Sequence, residues 1–108
     1  MEDFTVGSIV LVPFPFSNLK GQKFRPALIL AKVEFDNLIL CQITSRSYSS
    51  RIAIGIEKLD FLEGELPLKS FVRPDKLFTA DMSIIKRKVG ELKLSKRNII
   101  LQEVRNLF

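Results

Sequence analysis

The stretch FVRPDKLF sets Arg73, Asp75 and Lys76 inside a run of strand formers, with Pro74 among them. Alternation along an extended chain puts Arg73 and Asp75 on one face, flanked by Phe71 and Leu77, with Val72, Pro74 and Phe78 on the other. Pro74 donates no ladder hydrogen bond, so an edge or a bulge is expected here, where a sheet can aim side chains into a cleft. The same spacing also suits an exposed ion pair closing a barrel rim, which contributes little to stability. Two more groups stand at strand ends. Arg25 precedes Pro26 in FRPALIL, which holds its backbone extended, and Thr44 and Ser45 close a strand in QITSR. Surface placement and turn capping account for these as simply as ligand contact does.

What is missing narrows the chemistry. The chain has no histidine, which excludes His-based triads, His-based acid–base pairs and nearly all transition-metal sites. No metal and no cofactor is expected. Cys41, the single cysteine, lies in the apolar run LILCQIT and reads as a small buried hydrophobe. A nucleophilic thiol would want a cationic neighbour and a base. Lys and Arg number 17 against 12 Asp and Glu, a net charge of +5 and a pI near 9.6. That balance permits a polyanionic partner, as it permits a solvated basic surface.

These groups must be positioned by one domain, residues 1–108. A chain of this size buries roughly two-thirds of its unfolded surface, enough for a core without disulfides. With 46% hydrophobic and 27% charged residues it is of the soluble globular class. No apolar run approaches the roughly 18 residues of a membrane span, and MEDFTVG lacks the basic and hydrophobic regions of a secretory signal. A cytoplasmic location is expected. GSIVLVPFPF reads as a first strand, regular from Ile9 to Val12 because Pro13 and Pro15 follow. RPALILAKVEF and LILCQIT read as a hairpin turning at Asp36-Asn37. IAIGI alternates with Ile52, Ile54 and Ile56 on one face, and SIIKRKVGEL reads as a further strand. Only the end reads as helix: Ser95 is the expected N-cap, and Ile100, Val104, Leu107 and Phe108 form one apolar stripe. Short strands, frequent turns and a terminal helix predict a small, mostly antiparallel β-barrel.

In order, GSIVLVPFPF, RPALIL, QITSR and FVRPDKLF resemble the MazF/PemK family of toxins from type II toxin–antitoxin systems. The resemblance extends to a Gly-x-Leu-Pro turn at Gly64 to Pro67 and to the terminal helix. It implies an SH3-like antiparallel β-barrel with a C-terminal helix, a homodimer, and a growth-inhibiting endoribonuclease. Such enzymes cut single-stranded RNA, often mRNA, at short sequences and are neutralised by a cognate antitoxin. Arg25 matches the family's arginine before proline, assigned to catalysis or phosphate binding. Thr44 matches the threonine that contacts the scissile region, and Arg73 and Asp75 match an Arg-x-Asp assigned as acid and base. Many members carry Gly-Asp where this chain has Gly7-Ser8, and Gln-x-Arg-Thr after the aspartate where it has Lys76-Leu77-Phe78-Thr79.

The implied chemistry is metal-independent. The substrate's own 2′-hydroxyl attacks the adjacent phosphate, leaving a 2′,3′-cyclic phosphate and a 5′-hydroxyl. It needs a proton acceptor, a donor near the leaving oxygen, and positive charge for the phosphorane-like oxygens. Asp75 is the motif carboxylate that can accept a proton. Arg25 and Arg73 can stabilise charge through bidentate forks, and Thr44 can hydrogen-bond a phosphate or sugar oxygen. Lys20, Lys23, Arg46, Arg51 and Lys76 are expected to track phosphates beside Ser45, and Tyr48 to stack a base. Two other classes stay open: a gyrase-directed toxin of the CcdB type, and a catalytically silent RNA-binding relative. A DNA supercoiling assay beside an RNA cleavage assay separates them.

Overall fold

The computed structural model describes residues 4–14, 23–46 and 51–108. Among these, seven antiparallel strands share one sheet: β1 (Ser8–Phe14), β2 (Lys23–Val33), β3 (Asn37–Thr44), β4 (Ile54–Ile56), β5 (Phe61–Gly64), β6 (Ser70–Asp81) and β7 (Arg87–Leu92). Across the sheet they run β4-β6-β3-β2-β1-β7-β5, and helix α1 (Leu94–Asn106) follows β7. The sheet curls into a half-barrel, the mostly-β architecture with a C-terminal helix that the sequence predicts.

The central strands are apolar on both faces, which is why they read as continuous runs such as IVLV and LILC. Alternation divides those runs between two cores. Ile9, Leu28, Cys41, Ile43 and Val72 form one core with Ile100 of α1, against which Leu101 and Val104 also pack. Val10, Val12, Ala27, Ile29, Leu38 and Leu40 form the other, edged by Phe14 and Phe78. Burying a side chain of this size contributes about 1.5–3 kcal/mol, so both faces hold the sheet rigid beneath the site.

Several boundaries differ from expectation, each for a local reason. β1 runs through Pro13 to Phe14. Its pairing with β7 ends at Leu11↔Arg87, so beyond that point no strand on that side calls for the proline's missing donor. The β2–β3 turn centres on Phe35-Asp36, one residue earlier than predicted. Both have positive φ, 61° and 60°, and the Asn37 amide donates to the Glu34 carbonyl at 3.3 Å, as in a type I′ turn. Asn37 instead starts β3, its side chain also donating to Glu34 at 3.2 Å. SIIKRKVGEL becomes strand only at Arg87, because Met82–Ile84 is a short 3-10 helix capped by the Asp81 carboxylate on the Ser83 amide. A second 3-10 turn occupies Lys58–Asp60. Lys93, not Ser95, is the N-cap of α1, and no side chain caps it. The helix ends at Asn106, leaving Leu107 and Phe108 exposed rather than in the buried stripe.

The irregularity that matters most lies in β6. Gln42 pairs with Arg73, and the next residue back, Cys41, pairs with Leu77. Pro74, Asp75 and Lys76 are therefore extra, a bulge of the kind Pro74 predicts. The bulge also corrects the simple alternation. Arg73 and Leu77 face opposite sides, because their partners are consecutive residues of β3, and Phe78, opposite Leu40, returns to the side of Arg73.

Candidate active site

At the end of the half-barrel, β1, β2 and β3 meet the chain that enters β6 around a cavity of about 270 Å³. Leu11, Phe24, Arg25, Pro26, Ile43, Thr44 and Ser45 line it, closed on the other side by Leu66, Pro67, Leu68 and Ser70. Local sequence builds each wall. Pro26 pairs with Leu11 and holds the preceding residue extended, while Arg25 pairs with Val12 and is half-buried, its Nε fully so. The wall at Leu66–Leu68 leaves β5 through Gly64, whose φ is +74°; a Cβ there would run into the Val89 carbonyl oxygen. Ser70 is buried, its hydroxyl donating to the Leu68 carbonyl at 2.9 Å and fixing the return into β6.

Three of the expected residues thus share one concavity: Arg25, Thr44 and Ser45. The Thr44 hydroxyl oxygen accepts from the Arg46 amide at 3.2 Å, so the turn-capping role is real. The hydroxyl proton and the second lone pair are not consumed by that bond. Thr44 can cap the strand and still touch a ligand.

Arg73 and Asp75 are not among the lining residues. They sit beside the cavity, two strands over from Arg25, where the ladder Ala27–Gln42–Arg73 crosses two strand spacings, about 9–10 Å. Arg25 lies two residues before Ala27 and so on the same face, and Arg25 and Arg73 look out from one side of the sheet. Arg73 holds Asp75 in a two-pronged ion pair, Nε to Oδ1 at 2.9 Å and Nη2 to Oδ2 at 2.7 Å. The Arg73 side chain is 13% exposed and that of Asp75 32%. These hydrogen bonds push the Asp75 carboxyl below the usual carboxylate range and the Arg73 guanidinium further up. The ion pair that the spacing allows is therefore formed.

Lys23, Arg46, Arg51 and Lys76 are exposed, as phosphate-tracking groups must be. Ser45 is exposed beside Thr44. Lys20 and Tyr48 lie outside the described residues. Cys41 is buried, and burial, then the negative charge of Asp75, pushes its thiol up to about 12, so it is no nucleophile. Among the described residues no cluster of three or more acidic or thiol groups is arranged to hold a metal ion. The sequence did not single out Phe24 or Ser70. A lone aromatic at a loop-to-strand junction, directly before Arg25, was the available signal for the former.

A second hollow of about 200 Å³ lies behind the Leu66–Leu68 wall, lined also by Ile56, Glu57, Lys58, Phe61 and Lys69. Its charges pair with carboxylates, Lys69 with Glu57 at 3.5 Å and Lys58 with Glu65 at 3.9 Å.

Residues 5–108 match the family described as PemK-like, MazF-like toxin of type II toxin-antitoxin system. No curated protein sequence matches the chain. Among solved structures, an endoribonuclease in complex with its cognate antitoxin from a mycobacterial species superposes with a TM-score of 0.71 at 15% identity, covering 98% of this chain and 93% of that one. A chain of a MazE–MazF structure from Deinococcus radiodurans gives 0.67 at 20% identity, covering 94% of this chain and 88% of that one. The Mycobacterium tuberculosis toxin MazF-mt6 gives 0.66 at 21% identity, covering 90% of each. At such identities the likeness establishes the shared fold.

Proposed function

This chain belongs to the PemK-like, MazF-like toxin family, and from that premise we propose that it is a metal-independent endoribonuclease cutting single-stranded RNA, chiefly mRNA, at short sequences. The observation that carries the reading is that Arg25 and Thr44 border one cavity and share a face of the sheet with Arg73 of the Arg73–Asp75 pair. A guanidinium and a hydroxyl at a concavity this size suit a ribose–phosphate. The 2′-oxygen attacks phosphorus, the P–O5′ bond breaks, and the products end in a 2′,3′-cyclic phosphate and a 5′-hydroxyl. The 2′-proton leaves to Asp75 or to solvent, and the 5′-oxygen takes one up.

Arg25 stabilises the charge that builds on the non-bridging oxygens, and Thr44 orients the phosphate or sugar. Asp75 is a weak base because Arg73 already stabilises its anion, and Arg73 is a weaker acid for the same reason. Charge stabilisation therefore carries more of the rate than proton transfer does. The absence of histidine fits that division.

The partners follow from the same reading. An acidic antitoxin segment laid across a surface with net charge +5 masks the cations and blocks the cavity. Solved relatives include an endoribonuclease and a MazF described with an antitoxin or MazE. The protein acts as a homodimer in the cytoplasm, where its RNA is. No helix of the described residues is long and apolar enough to cross a membrane.

The test is direct. Purified protein is incubated with a long single-stranded RNA in EDTA and the new ends are mapped. Cuts at a recurring short sequence with 5′-hydroxyl ends support the reading. Intact RNA, or cuts bearing 5′-phosphates, would overturn it.

A further inference from the structure

Phe24 lines the cavity, directly before Arg25 in β2 and on the face of Pro26 rather than that of Arg25, with 43% of its surface exposed. The Lys86 ammonium lies over one face of its ring, 4.4 Å from the centroid, which leaves the other face to a base. Both residues are pinned by backbone: Phe24 pairs with Pro13 of β1, and the Lys86 amide donates to the Leu11 carbonyl at 2.9 Å from the far side of the same strand. Lys86 thus reaches across β1 to the ring. Lys23 and Arg87 are exposed beside them. An open aromatic surface costs solvation and gains little packing, and this one stands among cations at the cavity that Arg25 borders.

We propose that Phe24 is a base-stacking platform, holding a nucleobase adjacent to the scissile phosphate while Lys86 meets the neighbouring phosphate. This rests on the endoribonuclease reading and adds to it the group that grips a base. A π-face binds any base, and a cation beside it follows the backbone, which is how single strands are held without pairing. The platform acts in binding, so its loss appears in KM and leaves kcat nearly unchanged.

Two measurements test it on the intact protein. Steady-state cleavage of a single-stranded RNA is compared for wild type, Phe24→Ala, Phe24→Leu and Phe24→Trp, and binding of a 2′-O-methyl RNA, which cannot be cut, is followed by anisotropy. Phe24→Ala and Phe24→Leu should raise KM and Kd about 5-fold to 100-fold, with Phe24→Trp restoring both. Lys86→Gln should flatten the salt dependence of binding by about 0.7 in log–log slope. Circular dichroism verifies that each variant is folded. Wild-type values in Phe24→Leu would show that the ring is only a wall, and would overturn the platform. Unchanged RNA binding with weakened antitoxin binding would also overturn it, assigning the ring to the protein partner. A wild-type protein that neither cuts nor binds RNA would instead remove the endoribonuclease reading itself, and the platform with it.

Discussion

Two regions of the sheet carry an arginine on the same face, and they are built to opposite ends. At the junction of β1, β2 and β3, Arg25 borders an open cavity with a hydroxyl beside it and an exposed ring at its mouth. Two strands away, Arg73 is closed onto Asp75 by two hydrogen bonds at 2.7 and 2.9 Å. One arginine borders a cavity of about 270 Å³. The other is set against a carboxylate inside a bulge. The contrast teaches that two arginines of one surface can differ in what they do. On the proposed reading the cavity supplies the field, and the ion pair shapes the neighbouring surface.

The largest expected effect breaks the first region. Arg25→Ala should lower kcat for RNA cleavage by about 10²–10³-fold, the loss typical of one charge-stabilising donor, with the thermal melt close to wild type. Ile43 joins the cavity wall to the core, being 1% exposed. Ile43→Ala should therefore lose about 2–5 kcal/mol of stability in urea titration, a change that separates structural loss from chemical loss.

The second region should respond more mildly. Asp75→Asn is expected to slow cleavage by about 10-fold or less, because a carboxylate already stabilised by Arg73 is a poor proton acceptor at neutral pH. The sign of its pH dependence follows. Its folded pKa lies below the ordinary 3.8, so the ion pair's contribution to stability is present above that value. It is lost as pH falls through the lowered one. A pH–rate profile should then show no acid limb from Asp75 between pH 5 and 8, about the range in which the enzyme can be assayed. An acid limb in that range that vanishes in Asp75→Asn would contradict the assignment. The smallest effects belong to the exposed cations. Lys23→Gln, Arg46→Gln, Arg51→Gln or Lys76→Gln should each reduce the salt slope of RNA binding by about 0.7 and leave kcat within a factor of a few.

The legible parts of this molecule were those that packing dictates. The apolar runs IVLV, ALIL and LILC announced strands, though not that both their faces are buried, and Pro74 announced an edge or a bulge. The length of the bulge was not legible. Three extra residues reverse the facing of everything after them, and only the cross-strand register, Gln42↔Arg73 then Cys41↔Leu77, reveals it. The end of α1 misled for a similar reason: Leu107 and Phe108 keep the helical spacing, yet the chain leaves the helix at Asn106 before they can reach the core. Arg25 and Thr44 could be named from their segments. That they border a common cavity depends on β2 and β3 ending together, and their sequence separation hides it. Phe24 was hidden by chemistry, since an aromatic in a strand reads as core until its exposure is seen.

The central claim is that the cavity's positive charge outweighs proton transfer by the paired carboxylate. Single-turnover cleavage rates of Arg25→Ala and Asp75→Asn, measured side by side on one RNA at pH 7, weigh the two directly. The account predicts the deeper loss in Arg25→Ala, by about tenfold or more. A folded Arg25→Ala that cuts at the wild-type rate while Asp75→Asn is inert would reverse the assignment of roles.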